Sequence, residues 1–384
     1  EQASDQFNIA GGWGSGTFVG SVGVTLNNLS IKNFFKKGAW RPYPMGQNQR
    51  LSISAQTNGT YYKAFAISFT DPWMGGRKPN SFTISAHYSD ENNAYYAWQK
   101  GTRYFRTAGV AAGLGKRLDW PDPYFTFYAE ASYERYMLKD WNTFVLKNGA
   151  ANLLSIRLVL GRNSVDQPIY PRRGSDFSVS VQLTPPYSLW DGKDYKSTAL
   201  SEQERYNWIE FHKWMLKGQW FTPLTRNGNL VLMARAEMGY LGHYNKNKVS
   251  PFERFEVGGD GMTGYNMYGI DIISMRGYDD GALDPVGSNY SCAYNKYTME
   301  LRYPLLLKGQ TNIYVLGFLE GGNGFTSWKE FSPFKIKRSA GIGVRLFLPV
   351  VGMVGVDWGW GFDPAAGQTK RSGSHIHFTM GMQF

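Results

Sequence analysis

Alternation with a two-residue period constrains this chain more than any other feature. From Ile376 to Phe384 the even positions are Ile376, Phe378, Met380, Met382 and Phe384, while the odd ones are His377, Thr379, Gly381 and Gln383. That is the pattern of a strand with one oily face. Phe177, Val179, Val181 and Leu183 alternate in the same way with Ser178, Ser180 and Gln182. So do Leu154, Ile156, Leu158 and Leu160 with Ser155 and Arg157, and Tyr297, Met299, Leu301 and Tyr303 with Thr298, Glu300 and Arg302. Further strands are expected at 18–26, 51–57, 61–69, 82–88, 103–118, 124–138, 206–218, 230–242, 311–320, 339–348 and 352–361, with a weaker first strand near Phe7 to Gly14. The total is about sixteen, within the range of bacterial outer-membrane barrels.

Composition narrows the class. Aromatic residues make up 16% and charged residues only 18%, and 45 glycines favour strands and turns over helices. The longest apolar run, Leu346 to Val356, lies between Arg345 and Asp357 and is too short for a membrane-spanning helix. The aromatic and aliphatic content also excludes a disordered chain. Glu1 to Asn8 has neither a basic n-region nor an apolar h-region, so we expect a chain seen in trimmed form. Cys292 is the single cysteine, which excludes an intrachain disulfide framework and a cysteine-based zinc site. The net charge of +11 is scattered, with Phe34-Phe35-Lys36-Lys37 and Lys335-Ile336-Lys337-Arg338 the densest clusters. We read these as solvated loops or contacts with anionic lipid head groups, not as a nucleic-acid surface.

Turn chemistry separates the strands. Asn58-Gly59 is a hairpin signal, and 119–123, 222–228 and 307–310 read as short turns. They alternate with longer polar stretches at 90–100, 185–205 and 243–290. Short periplasmic turns alternating with long extracellular loops are typical of a membrane barrel. A soluble sandwich or propeller is the competing architecture, but strands with one oily face, aromatics at the strand ends and a second face of Ser, Gln, Thr, Arg and Glu favour the barrel. The fold class is therefore all-β: a transmembrane up-and-down antiparallel barrel of about sixteen strands, with 1–384 forming one barrel domain.

Residues for catalysis are scarce. Five histidines are present, none beside a nucleophile motif, so no enzyme activity and no cofactor are expected. His375 and His377 share the polar face, where water would solvate them, and no third ligand is near in sequence; we expect no metal. Gly258-Gly259-Asp260-Gly261 resembles a phosphate loop without the following helix and reads as a sharp turn. The segment 250–290 differs from the other loops. It carries Phe252, Phe255, Val257 and Tyr278 where a solvated loop would be polar, so it is expected to fold back into the lumen. Arg276 would then need a carboxylate partner. The parity of Glu320, shared with Asn312 and Tyr314, points it inward, and Asp357 is the second candidate.

Several landmarks occur in one order along the chain: Asp71-Pro72-Trp73, Tyr170-Pro171-Arg172-Arg173-Gly174, Pro251-Phe252 with Phe255 and Gly258-Gly259, Arg276-Gly277-Tyr278, Phe318-Leu319-Glu320-Gly321-Gly322, Ala340-Gly341-Ile342-Gly343 and the terminal Phe384. Together they resemble the BamA-type outer-membrane protein assembly factors and their two-partner-secretion relatives. The resemblance implies an insertase that folds other β-barrels into the bacterial outer membrane, with Arg276 of the internal loop set against the acidic strand carrying Glu320. It also implies a lateral seam between the first strand, with Phe7, Ile9, Gly11, Gly12 and Gly14, and the last, with Phe378, Met380 and Met382. Phe384 would belong to the C-terminal assembly signal. Implied partners are unfolded outer-membrane barrels, accessory assembly lipoproteins, outer-membrane lipid and lipopolysaccharide, and periplasmic chaperones acting through POTRA domains expected upstream. Glu320 stands where Asp is usual in the family. The alternatives are a polypeptide-exporting pore of the two-partner-secretion type and, from other classes, a porin or a barrel enzyme.

Overall fold

Eighteen strands appear in the computed structural model, which describes all residues except 1–5, 15–16, 41–42, 60, 77–78, 94–100, 262–267, 288–289, 309–310, 349–351 and 381–384. In chain order they are β1 (Gln6–Gly14), β2 (Thr17–Leu29), β3 (Gln49–Thr57), β4 (Tyr62–Asp71), β5 (Asn80–Asn92) and β6 (Tyr104–Arg117). Next come β7 (Phe125–Lys139), β8 (Gly149–Asn163), β9 (Gly174–Leu183), β10 (His212–Pro223), β11 (Val231–Gly242) and β12 (Arg254–Val257). The last are β13 (Ile270–Ile273), β14 (Ala293–Lys308), β15 (Thr311–Phe325), β16 (Lys337–Leu348), β17 (Gly352–Pro364) and β18 (Arg371–Met380). Sixteen of them form one sheet in sequence order, each antiparallel to its neighbour, while β12 and β13 pair separately and in parallel. This is an up-and-down membrane barrel, as the two-residue period requires.

Burial is inverted relative to a soluble protein. Ile53, Phe65, Val110, Ile156, Leu216, Met299, Ile342 and Ile376 are exposed on the outside of the wall. Thr107, Ser155, Glu300, Glu320, Asp357 and His377 are buried on the inside. A sandwich would bury the first set; only lipid makes this arrangement favourable. The two ends also differ. Connections at one end span 72–79, 118–124 and 224–230, whereas those at the other include 184–211 and the segment 243–292 that carries β12 and β13. The long-loop end is extracellular by that asymmetry.

One expected strand starts late. The reading from Tyr206 is corrected: Glu202–Tyr206 is a helical turn (α1), and β10 begins only at His212. The cause is a capping box, in which the Ser201 hydroxyl accepts from the Glu204 amide while the Glu204 carboxylate accepts from the Ser201 amide. This turn helps roof the extracellular mouth, because Tyr206, Ile209 and Phe211 join Phe144, Leu146 and the loop residues Phe252, Phe255 and Val257 in one apolar cluster.

Candidate functional site

The segment between β11 and β14 enters the lumen, and its path is set by apolar residues. Phe252, Phe255, Val257, Ile270, Ile273 and Met275 pack on Phe105, Tyr136, Leu138 and Leu153 of the wall. The parallel pair β12/β13, in register from Arg254↔Ile270 to Val257↔Ile273, stiffens this insertion. Immediately beyond β12, the turn at Gly258 and Gly259 is held by bonds from the Gly258 amide to the Ile273 carbonyl and from the Met275 amide to the Gly259 carbonyl. Gly259 has φ of 72°, and a Cβ there would lie 1.6 Å from the Asp280 carboxylate. The sharp turn read from the sequence is therefore a point where the chain doubles back under the loop tip.

The tip carries Arg276, which is buried against three carboxylates. Its Nε and Nη2 donate to Glu320 Oε1 at 3.0 and 2.7 Å, and its own backbone amide donates to Glu320 Oε2 at 2.9 Å. Nη2 also reaches Glu300 Oε1 at 2.7 Å, and Nη1 lies 3.5 Å from Asp357 Oδ2. The guanidinium plane sits 3.7 Å from the centre of the Phe318 ring. Arg and not Lys suits this place, because its planar fork can bond two acceptors and stack at once. Sheet register brings the acids together: Glu300 faces Phe318 across β14/β15, Thr298 faces Glu320, and Asp357 lies on β17 opposite Gly343. Arg302 bonds Glu300 at 2.7 Å, and Arg345 holds both oxygens of Asp357 at 2.8 and 2.7 Å. Three cations thus meet three carboxylates, so the buried cluster is charge-balanced.

Gly277 lets the tip lie flat on the wall. Its φ is 88°, and an added Cβ would meet Ser339 Cβ at 2.7 Å and the Gly361 amide at 3.1 Å. Opposite it, Gly359 and Gly361 of β17 present backbone alone, with the Gly277 amide 2.8 Å from where a Gly359 Cβ would stand. The Gly277 N–H donates to His377 Nε2 on β18 at 2.7 Å, and the Phe378 amide of β18 donates to Asp260 Oδ2 at 3.3 Å. Tyr278 is buried, and its hydroxyl donates to the Arg338 carbonyl of β16 at 2.9 Å. His377 is thus no water-solvated residue, a correction to the sequence reading: it is buried and accepts a hydrogen bond from the loop tip. His375 instead faces Asp279 at 3.2 Å, and among the described residues no group of three or more His, Cys, Asp or Glu could hold a metal ion.

Of the residues singled out in the sequence, Arg276, Gly277, Tyr278, Gly258, Gly259, Glu320 and Asp357 come together here. Glu300, Phe318, Asp260 and His377 complete the site and were not singled out as its members. Their signal was parity, since each of Glu300, Phe318 and His377 lies on the inward face of its strand. Phe7, Ile9, Gly11, Gly12 and Gly14 lie on β1, which pairs with β2 in unbroken register from Gln6↔Thr25 to Gly14↔Thr17. Phe378 is exposed on β18, and Met380 ends that strand. Met382 and Phe384 lie outside the described residues. Among the described residues, no ladder joins β1 to β18.

A second insertion enters the lumen from the periplasmic end. The turn between β8 and β9 carries Tyr170 into the lumen, where its hydroxyl lies 2.8 Å from the Asn229 carbonyl and 3.0 Å from the Arg302 carbonyl. The Tyr170 ring packs with Phe221, Met233, Tyr314 and Leu316. Between this turn and the Arg276 cluster lies a cavity of 340 Å³, lined in part by Arg235, Lys296, Glu300 and Asp176.

A sixteen-stranded barrel with an oily outer band, a polar interior and an extracellular loop anchored inside by an arginine is an integral outer-membrane protein. Residues 45–384 match the Omp85 superfamily domain, and the chain belongs to that family. It is 22% identical over 324 residues to the outer membrane protein assembly factor BamA of Neisseria meningitidis serogroup B, covering 79% of this chain and 33% of that protein. The chain therefore spans about a third of the length of that curated relative. Among solved structures, BamA from Haemophilus ducreyi lacking POTRA domains 1-3 superposes with a TM-score of 0.66 at 17% identity, over 98% of this chain and 69% of that one. CdiB from Escherichia coli gives a TM-score of 0.55 at 12% identity, over 98% of this chain and 67% of that one. CdiB from Acinetobacter baumannii gives 0.58 at 13%, over 99% and 60%.

Proposed function

We propose that this chain is the barrel of an insertase, which helps other β-barrels fold into the outer membrane through the seam between β1 and β18, without a cofactor. The observation that carries this reading is the seam itself. Among the described residues β1 pairs with β2 alone and β18 with β17 alone, which leaves each with an unladdered edge, and the inner loop grips β18 through Gly277–His377 and Asp260–Phe378. A strand entering lipid must have its N–H and C=O groups satisfied, and an accessible edge can satisfy them by strand addition. Gly11, Gly12 and Gly14 weaken the pairing of β1, so the N-terminal side is the one that yields. Unfolded barrels are the substrates in this reading. Accessory lipoproteins, and chaperones acting through upstream POTRA domains, are the partners that resemblance to the assembly factors supplies.

The test is reconstitution of the full-length protein in liposomes, with a urea-unfolded outer-membrane barrel added and its folded fraction followed by heat-modifiability on gels. Faster folding than in empty liposomes is expected. That acceleration should vanish when Ile9→Cys is crosslinked to Thr379→Cys in a Cys292→Ser background, and return with reductant. Full acceleration with a complete crosslink would overturn the seam mechanism. The likeness to CdiB supports a second reading, export of one polypeptide through the lumen. It predicts that added polypeptide becomes protease-protected inside the vesicles instead of folded in the bilayer.

A further inference from the structure

The connection between β2 and β3, residues 30–48, is the longest at the periplasmic end, and it presents oily and cationic side chains together. A short 3-10 turn, Ile31–Asn33, opens it. Phe35 is 91% exposed, and Ile31, Phe34 and Trp40 are exposed as well. Three lysines, Lys32, Lys36 and Lys37, are exposed among these rings, and among the described residues no acidic side chain pairs with any of them. The aromatic cluster is built and not loose. Phe34 packs edge-on against Phe35 at 5.3 Å and Trp40 at 4.9 Å, and the Trp40 indole N–H donates to the Phe34 carbonyl at 3.0 Å. Its base is fixed to the barrel, with the Ser30 amide bonded to the Pro44 carbonyl and the Ile31 amide to Gln49 Oε1.

Exposing so much ring surface to water is unfavourable, which calls for an apolar medium beside it. The same barrel end carries Trp73 and Met74 on the β4/β5 turn and Trp120 on the β6/β7 turn, all exposed. Aromatic side chains at that level mark the membrane interface. Lysines interleaved with such rings add attraction to negative head groups while their stems stay against the apolar layer. We propose that residues 31–40 form a docking surface for anionic phospholipid of the periplasmic leaflet, with Phe35 immersed among the acyl chains and Lys32, Lys36 and Lys37 on the phosphates. The segment hangs from β2, the strand paired with β1, so the lipid it gathers lies beside the seam. This assignment rests on the membrane barrel and not on the insertase reading.

Two measurements on the full-length protein test it. A photo-crosslinking p-benzoylphenylalanine in place of Phe35, irradiated in native outer membranes, should give a phospholipid adduct. Adducts with protein alone, whether another segment of the same chain or a partner, or no adduct, would overturn the proposal. In nanodiscs of phosphatidylglycerol and phosphatidylcholine, the lipid kept on extraction should be enriched in phosphatidylglycerol. One kcal/mol per lysine near an anionic surface corresponds to roughly fivefold, so each of Lys32→Gln, Lys36→Gln and Lys37→Gln should lower the enrichment by up to that factor, and the triple variant should abolish it. Lys335→Gln, on an extracellular loop, serves as the control and should leave it intact. Enrichment unchanged in the folded triple variant would refute the lysine contacts.

Discussion

Replacing Arg276 by alanine should release the inner loop while leaving the barrel wall intact. The substitution removes one of three buried cations and leaves Glu300, Glu320 and Asp357 with Arg302 and Arg345 as their remaining arginine partners. Glu320 would lose both guanidinium bonds and keep the amide of residue 276, the Thr298 hydroxyl at 3.2 Å and the attraction of buried Lys296. Removing one member of a well-buried pair costs about 3–5 kcal/mol, toward the low end where lumenal water from the adjoining cavity can reach the orphaned charge. At about 1.4 kcal/mol per decade, opening of the loop should rise by about a hundred- to several-thousand-fold. Limited trypsin cleavage between His243 and Tyr290 reads that opening, provided reclosing outpaces cleavage. Glu320→Ala should cost less, because Arg276 keeps Glu300 and Asp357. The double variant should lose less than the sum, with coupling to Glu320 exceeding that to Asp357, which touches Arg276 only at 3.5 Å. Strict additivity, or an Arg276→Ala loop cleaved within threefold of the parent, would refute the reasoning.

Other outcomes follow from neighbouring contacts. Gly277→Ala should destabilise the loop by about 2–4 kcal/mol, from overpacking against Ser339 and Gly361 plus a positive φ, seen as a lower denaturation midpoint in detergent. His377→Ala leaves the Gly277 amide without its acceptor, at about 1–3 kcal/mol; hydrogen exchange should accelerate in β18 and the loop tip but not in β7, and equal acceleration everywhere would count against a local latch. Burial pushes the carboxyls of Glu256 and Asp284 up to about 7, Glu256 with help from Asp280, both well above their usual range. With folded-state values raised, the stabilising contribution is full below about pH 4 and is lost as pH rises through 7. Protease protection of the loop, normalised to a denatured control at each pH, should therefore fall between pH 5 and 8, and Glu256→Gln should flatten the profile and raise protection at pH 8.

Strand number and facing were legible because lipid and lumen impose opposite polarity on alternate residues, so every β18 residue from Ile376 to Thr379 could be assigned a side. The loop's re-entry was legible from Phe252, Phe255 and Val257, which no solvated loop would carry. What parity could not supply was distance around the wall. Glu300, Glu320 and Asp357 all point inward, but their convergence on one guanidinium depends on the register across the whole run from β14 to β17 and on where the loop tip lands against it, neither of which a two-residue period encodes. His377 was placed on the correct face and given the wrong surroundings, because nothing local to β18 announces a backbone amide arriving from Gly277. Likewise the strand expected from Tyr206 begins only at His212, because the Ser201–Glu204 capping box closes the preceding polar stretch with a helical turn that takes in Tyr206.

The glycine floor of β17 couples the seating of the inner loop to the completion of the barrel wall. Gly359 and Gly361 contribute no side chains to the interior, and the packing they lack comes from Gly277, while His377 takes its partner from a residue 100 positions earlier. The last two strands therefore cannot reach their final stability by pairing in turn along the sheet. Seating of the loop tip and closure of the C-terminal hairpin thus stabilise one another, so a chain whose loop stays outside should keep its early strands paired and its C-terminal hairpin prone to opening.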